Sequence, residues 1–342
     1  MSISVSAPGK VHLIGEHAVV YGVPAIIAAI ENRCRVTAEE HDKIKIESDF
    51  GVNFEDDIKN VLSFADEVNA LWKECNKKKN FSELFSVMRI EKTNPMKAAV
   101  GTVMRHLNLA NGISLKIDSK IPAGAGLGSS SAMSVSIPFA VAELNNIEIT
   151  KEEINKIAFS LEQFNHGTPS GGDNSACCYG GLIWFQKSQP KNIIRYMKKE
   201  IPYELENFLM VYTGKPKKTT GELVQQVRNL NEDFRNEKME NIKKAVYEMR
   251  DALEKKQKEK ISDLMNTAQN NLTELGVSTP KINRLCEAVR NISGGAKLCG
   301  AGGGGIVLCY HEDKQLLKDI IKSEKFECWE TELGAEGVRE EK

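Results

Sequence analysis

One stretch constrains the fold more than any other. Pro122-Ala-Gly-Ala-Gly-Leu-Gly-Ser-Ser-Ser131 stands between Ile113-Ser-Leu-Lys-Ile117, which alternates strictly like a strand, and a run with helical character. Gly124, Gly126 and Gly128 alternate with Ala125 and Leu127, so the backbone can approach a ligand closely. Ser129, Ser130 and Ser131 then open the helix, where free N–H groups and the macrodipole favour an anion. A flexible turn with a serine cap is the bland alternative, and the strand–loop–helix context argues against it. A Walker A loop ends in Gly-Lys-Ser/Thr, and no lysine stands between Pro122 and Ser131. If phosphate binds here, its positive charge must come from elsewhere in the fold.

Composition excludes several other functions. Lys plus Arg is 46 against 47 Asp plus Glu, a net charge of −1, which gives no basic field for nucleic acid. The most apolar stretch, 18–30, holds Gly22 and Pro24 and falls well short of the roughly 20 residues of a membrane span. The beginning of the chain lacks the ordered basic, apolar and cleavage segments of a secretory signal. The 8 cysteines form no C-x-x-C pair, which predicts free buried thiols in a cytoplasmic protein. Hydrophobic residues at 41% and charged residues at 27% suit a folded chain with a sizeable core. The length suggests two domains, and a cluster of Lys, Gln, Asn and Pro near 186–200 puts the division at 188, giving 1–188 and 189–342.

Periodicity predicts a strand over 2–7, a glycine-punctuated segment from Gly9 to Gly15, strands over 33–38 and 43–47, and helices over 56–75 and 95–110 with a solvated lysine loop at 77–80 between them. Lys151–Phe164 reads as a helix capped by Thr150, with Glu153 completing a capping box. Leu182–Gln186 and 206–213 read as strands, 220–260 as helical, and 281–291 as a helix. Pro138 is expected to kink the helix after the glycine loop. Gly300, Gly302 and Gly305 match G-x-G-x-x-G, but Ile306–Tyr310 after them reads as a strand, so a hairpin turn is expected rather than a dinucleotide site.

Three further groups could carry chemistry. Glu162 near a helix end and Asp173 after Gly171-Gly172 could face one site, one holding Mg²⁺ and the other taking or orienting a hydroxyl proton. The plain alternative is a surface acid and a turn former. Lys10, at the end of the first strand, could reach a phosphate or an acid. Glu16 and His17 could meet a substrate, while His12, His41, His106, His166 and His311 show no metal spacing and receive no ligand role.

Three segments in order, Ala7-Pro-Gly-Lys-Val-His-Leu-Ile-Gly-Glu-His-Ala-Val-Val-Tyr-Gly22, Pro122–Ala132 and Lys297-Leu-Cys-Gly-Ala-Gly-Gly-Gly-Gly305, resemble the GHMP kinase superfamily across essentially the whole chain. Gly15-Glu-His-Ala-Val-Val-Tyr-Gly22 and His166-Gly-Thr-Pro-Ser-Gly-Gly-Asp-Asn174 are most similar to its mevalonate kinases. The resemblance implies an α+β fold, with an N-terminal domain like ribosomal protein S5 and a C-terminal ferredoxin-like domain. It implies ATP and Mg²⁺ as cofactors and mevalonate as the alcohol. Asp173 would be the catalytic aspartate beside the C5 hydroxyl, either as a base or only orienting the hydroxyl, with Lys10 against it. Ser130 and Glu162 would hold Mg²⁺. Gly124, Ala125, Gly126, Leu127, Gly128, Ser129, Ser130 and Ser131, with Lys10, would surround the ATP phosphates. Glu16, His17 and Thr220 would contact mevalonate. Homodimers and inhibition by prenyl diphosphates recur in the family. Gly172, Ser131, Cys299 and Pro138 depart from its usual pattern, and none of them removes a catalytic group. A kinase of the same fold acting on another small alcohol or sugar, and a metabolite sensor without catalysis, are the competing readings.

Overall fold

The computed structural model describes residues 2–122 and 124–341, so Ala123 of the glycine loop lies outside the described residues. The N-terminal part runs β1 (Ser2–Ile14), β2 (Ala25–Glu40), β3 (Ile44–Ser48), β4 (Phe54–Asp56), α1 (Ile58–Lys78), α2 (Ser82–Ile90), α3 (Asn94–His106), β5 (Ile113–Ser119), α4 (Ser129–Leu144), α5 (Lys151–His166), α6 (Gly172–Tyr179), β6 (Leu182–Gln186) and β7 (Ile193–Tyr196). The rest runs β8 (Leu205–Tyr212), α7 (Thr220–Arg228), α8 (Glu232–Glu254), α9 (Glu259–Glu274), α10 (Pro280–Arg290), β9 (Gly295–Leu298), β10 (Ile306–Tyr310), α11 (Lys314–Ser323), β11 (Cys328–Leu333) and β12 (Arg339–Glu340).

The strands form one mixed sheet in the order β4-β3-β5-β2-β11-β8-β10-β9, with β1 and β6 also on β2. The long strand β2 organises it. Its whole length pairs with β1, its outer half with β5, and its first residues with β6. A single pair, Ile30↔Leu333, joins it to β11 and so to the C-terminal strands. The last strand returns to the first, with Val5 opposite Glu340. β6 and β7 form a hairpin across residue 188, with Ile183 opposite Tyr196. One continuous apolar core therefore runs under both parts, from Val5 and Ile30 to Val211 and Leu308, all fully buried. This is the α+β architecture that the family resemblance implies.

Two local expectations gave way to tertiary pairing. β1 does not stop at residue 7: Gly9, Lys10, Val11 and His12 pair with Ile30, Ala29, Ala28 and Ile27, with a register shift at Pro8/Gly9. Cross-strand partners override the weak strand preference of glycine. Asp173 does not sit in a tight turn: it occupies the first turn of α6, where a carboxylate is favoured by the helix dipole. A third element, α2, falls just after the predicted lysine loop, and Leu84 and Met88 anchor it in the core. The Thr150–Glu153 capping box is present as predicted.

α4 explains how the glycine loop is presented. It runs through Pro138 to Leu144 and buries residues on every side, including Ser131, Ser134 and Ser136. A helix buried all round is a central element rather than a surface one. Its small side chains let β1, β2, α5 and α6 pack against it, so the loop at its N-terminus is aimed by the core.

Candidate active site

The glycine loop, the start of α6 and the β9–β10 turn surround a cleft of about 1060 Å³. Lys10, Gly124 to Ser130, Glu162, Asp173 and Thr220 all border it. Lys10 supplies the positive charge that the loop lacks. Its backbone N–H donates to the Leu127 carbonyl (2.8 Å), stitching β1 to the loop. Its ammonium meets Asp173 Oδ2 at 2.9 Å. Gly128, at φ +76°, leaves room for that lysine: a Cβ there would stand 2.7 Å from Lys10 Cγ.

The pair is electrically asymmetric. Its depth in the fold pushes the Asp173 carboxyl up, but the Lys10 charge and the His12 imidazole outweigh this and hold it well below the usual carboxylate range. Burial pushes the Lys10 ammonium down, and Asp173 more than restores it. Both groups are therefore charged at neutral pH. Asp173 still keeps 40% of its side-chain surface open towards the cleft, against 8% for Lys10. An acid held this way can accept a hydrogen bond from an incoming hydroxyl.

Glu162 is 4% exposed. Its two oxygens accept from the Ser131 and Ser134 hydroxyls, each at 2.9 Å, and His166 Nε2 lies 3.5 Å away. Burial raises its carboxyl above the ordinary value. Among the described residues no lysine or arginine pairs with it, so this carboxylate is short of positive charge. Mg²⁺ commonly takes one or two protein oxygens, keeping phosphates and water as its other ligands. The Glu162 carboxylate and the Ser130 hydroxyl, which both border the cleft, match that donor set. Ser131 is turned inward to Glu162.

Glu16 and His17 lie behind the wall. Glu16 forms an ion pair with Lys297, and both side chains are sealed from water. The Lys297 ammonium also donates to the carbonyls of His12 (3.2 Å) and Leu298 (2.9 Å), filling its three donor positions. His17 is 5% exposed, and burial holds its imidazole below the usual value. Its Nε2 lies 2.9 Å from the Ala301 carbonyl, which can only accept, so Nε2 carries the proton. Both residues therefore brace the β9–β10 turn, whose Ala301 borders the cleft.

That turn is a hairpin, with Val307 opposite Leu298, as the strand after Gly305 predicts. Gly302 packs where a Cβ would stand 2.2 Å from the Val277 carbonyl. Thr220 is exposed at the first position of α7, behind a capping box made by Thr219 and Glu222. Cys299 borders the cleft, but burial pushes its thiol up to about 11, so it is no nucleophile at neutral pH. All eight cysteines are free and seven are buried.

The sequence reading missed His12, whose Nε2 lies 3.7 Å from Asp173 Oδ1. A signal was available, since Lys10 and His12 are two apart on a strand and so share a face. Asp49, Phe50 and Lys120, which border the far end of the cleft, carried no motif.

Comparison with known proteins agrees with this geometry. Residues 94–181 match the GHMP kinases N terminal domain and residues 249–327 the GHMP kinases C terminal model. A mevalonate kinase of Pyrococcus furiosus is 36% identical over 331 residues, covering 92% of this chain and 91% of its own. The chain belongs to the GHMP kinases. Within them it is similar also to the mevalonate kinase of Methanocaldococcus jannaschii, 32% identical over 94% of this chain and 96% of that one. The crystal structure of the Methanococcus jannaschii mevalonate kinase superposes with a TM-score of 0.81 at 28% identity, over 97% of this chain and 98% of that one. In this GHMP kinase the glycine loop, the Lys10–Asp173 pair and the glycine hairpin border one cleft. No helix among the described residues is long and apolar enough to cross a membrane.

Proposed function

We propose that this kinase transfers the γ-phosphoryl group of ATP to the C5 hydroxyl of mevalonate, giving 5-phosphomevalonate. The observation that carries the reading is the Lys10–Asp173 pair at 2.9 Å, beside the glycine loop on the same cleft. Phosphoryl transfer depends mainly on positioning and on stabilising charge on the transferring group. The N–H groups from Gly124 to Ser131 receive the phosphates, and Lys10 neutralises charge on the reacting oxygens. Asp173 accepts the hydrogen bond of the C5 hydroxyl and aims its oxygen. Because its carboxyl lies well below the ordinary range, it holds a proton poorly. The hydroxyl proton therefore moves late, to the Asp173 carboxylate, as the new P–O bond forms and the bond from the γ-phosphorus to ADP breaks. Ser130 and Glu162 would hold Mg²⁺, which when bound neutralises and orients the phosphates. Thr220 faces the alcohol, and Glu16 and His17 set the pocket wall through the glycine hairpin.

A coupled ADP-release assay tests this. Wild type should release ADP with mevalonate and ATP, and Asp173→Asn should not. Turnover of another alcohol in a substrate panel, with none of mevalonate, would reassign the substrate. Binding of both ligands without ADP release would make the protein a sensor. We also propose two structural units meeting near residue 188, a cytoplasmic location, which the free thiols suit, and a homodimer, for which sedimentation is the check.

A further inference from the structure

His12 lies outside the site residues assigned so far and does not border the cleft. It follows Lys10 by two residues on β1, so both side chains project from one face, while Val11 and Leu13 are buried on the other. The two side chains take opposite oxygens of the same carboxylate. Lys10 Nζ holds Asp173 Oδ2 at 2.9 Å, and His12 Nε2 faces Oδ1 at 3.7 Å. The other ring nitrogen, Nδ1, is buried and has no hydrogen-bond partner. A neutral imidazole has one N–H and one lone pair. Burying an unpaired N–H is the more costly choice, since orphaned donors are rarer than under-satisfied acceptors. The proton therefore belongs on Nε2, pointing at Asp173. The strand itself is pinned at this residue: the His12 carbonyl accepts from Lys297 Nζ at 3.2 Å.

We propose that His12 is a positioning residue for Asp173. A carboxylate turns easily about its last bond, because that torsion is broad and two-fold. Lys10 alone would leave Oδ1 free to swing. The Nε2–H group restrains Oδ1, so the edge of Asp173 presented to the alcohol is fixed. At 3.7 Å the contact is wider than a hydrogen bond, and such contacts in ligand-free sites tighten when substrate arrives. Lys297, reaching across from β9, holds the backbone that carries the ring.

The proposal rests on Asp173 orienting the substrate hydroxyl, and its test separates the two ideas. ¹⁵N NMR of histidine-labelled wild type should show His12 protonated on Nε2, with a resonance that moves in Asp173→Asn. This readout needs no turnover. In steady-state kinetics His12→Leu should lower kcat about 10- to 100-fold, leaving the KM for ATP and the melting temperature near wild type. His12→Gln, whose amide nitrogen reaches about as far as Nε2, should recover most of that loss. A proton on Nδ1, wild-type kcat in His12→Leu, or equal impairment in His12→Gln would each overturn the proposal. So would a kcat loss matched by a rise in the KM for ATP and a fall in melting temperature. If wild type turned over no alcohol, the kinase reading would fail while the NMR result still decided the contact.

Discussion

Two lysine–acid pairs meet at β1 and the loop that follows it, and they are built from the same groups for different ends. Lys10–Asp173 opens on the cleft, with 40% of the Asp173 side chain exposed. Lys297–Glu16 is sealed, at 0% and 1%. In the sealed pair the lysine satisfies every donor inside the protein, and one Glu16 oxygen, Oε2, has no partner. In the open pair the acid keeps accepting capacity towards solvent. A buried pair is weak evidence for net stability, yet removing one partner is strongly destabilising, because an uncompensated charge is left behind. The sealed pair therefore ties the glycine hairpin to the N-terminal loop, and the open pair is left free to act on a ligand.

The sharpest way to break this comparison is to neutralise one partner of each pair in turn. Asp173→Asn should lower kcat by about 10²–10⁴-fold with a much smaller change in stability, measured by ADP release beside urea unfolding. Lys297→Met should reverse the pattern and cost about 3–5 kcal/mol by urea unfolding, since Glu16 is then buried alone. Adding Glu16→Gln to it should recover much of that loss; failure to recover would mean that the pair's charges are not the reason for the cost.

Smaller effects sharpen the picture of the open pair. Gly128→Ala sets a methyl 2.7 Å from Lys10 Cγ, whereas at Gly126 a Cβ would meet nothing within 4 Å. Both carry positive φ, near +76° and +79°, so both substitutions cost about 1–2 kcal/mol of backbone strain. Gly128→Ala should also lower kcat through Lys10, by about tenfold or more if Lys10 shifts by as much as 1 Å, whereas Gly126→Ala, in the loop that receives the phosphates, should act mainly on the KM for ATP. Equal kinetics in the two variants would detach Lys10 from the loop.

The smallest expected effect concerns Glu162. Its folded value is raised by burial, so the neutral form is favoured in the native state. The stability it contributes is full below its unfolded value and is lost as pH rises through the folded one. Glu162→Gln should therefore be more stable than wild type at pH 7 without Mg²⁺, with the gap closing below about pH 4.3. Chemical unfolding at the two pH values checks this. Greater wild-type stability at pH 7 would contradict it. Asp173 has the opposite sign, and its charge persists down to acid pH. Its titration therefore contributes no limb to the activity profile between pH 5 and 8.

Much of the site was readable because it is local. The glycine–serine loop, the Thr150–Glu153 cap and the glycine hairpin each rest on residues a few positions apart. The Thr219–Glu222 box had the same signature and was passed over. The contacts of Glu16 and His17 were not readable. Their partners, Lys297 and Ala301, lie some 280 residues later, and no periodicity reports such a meeting. His12 fell between these cases: its face was legible, its neighbour was not.

By itself, the chain's order of residues determined an anion cradle at a helix start, a composition without a basic field, and the motifs that carry the resemblance to the GHMP kinases. Tertiary structure decided which groups share a cleft and which are walled off from water. The physical reason is range. Backbone preference and capping act within a turn or two, whereas charge pairing and burial depend on where β2 and the return of the C-terminal strands bring distant segments together. Lys10 and Lys297 are the same side chain, and only the packing around each left one pair open to the cleft and sealed the other.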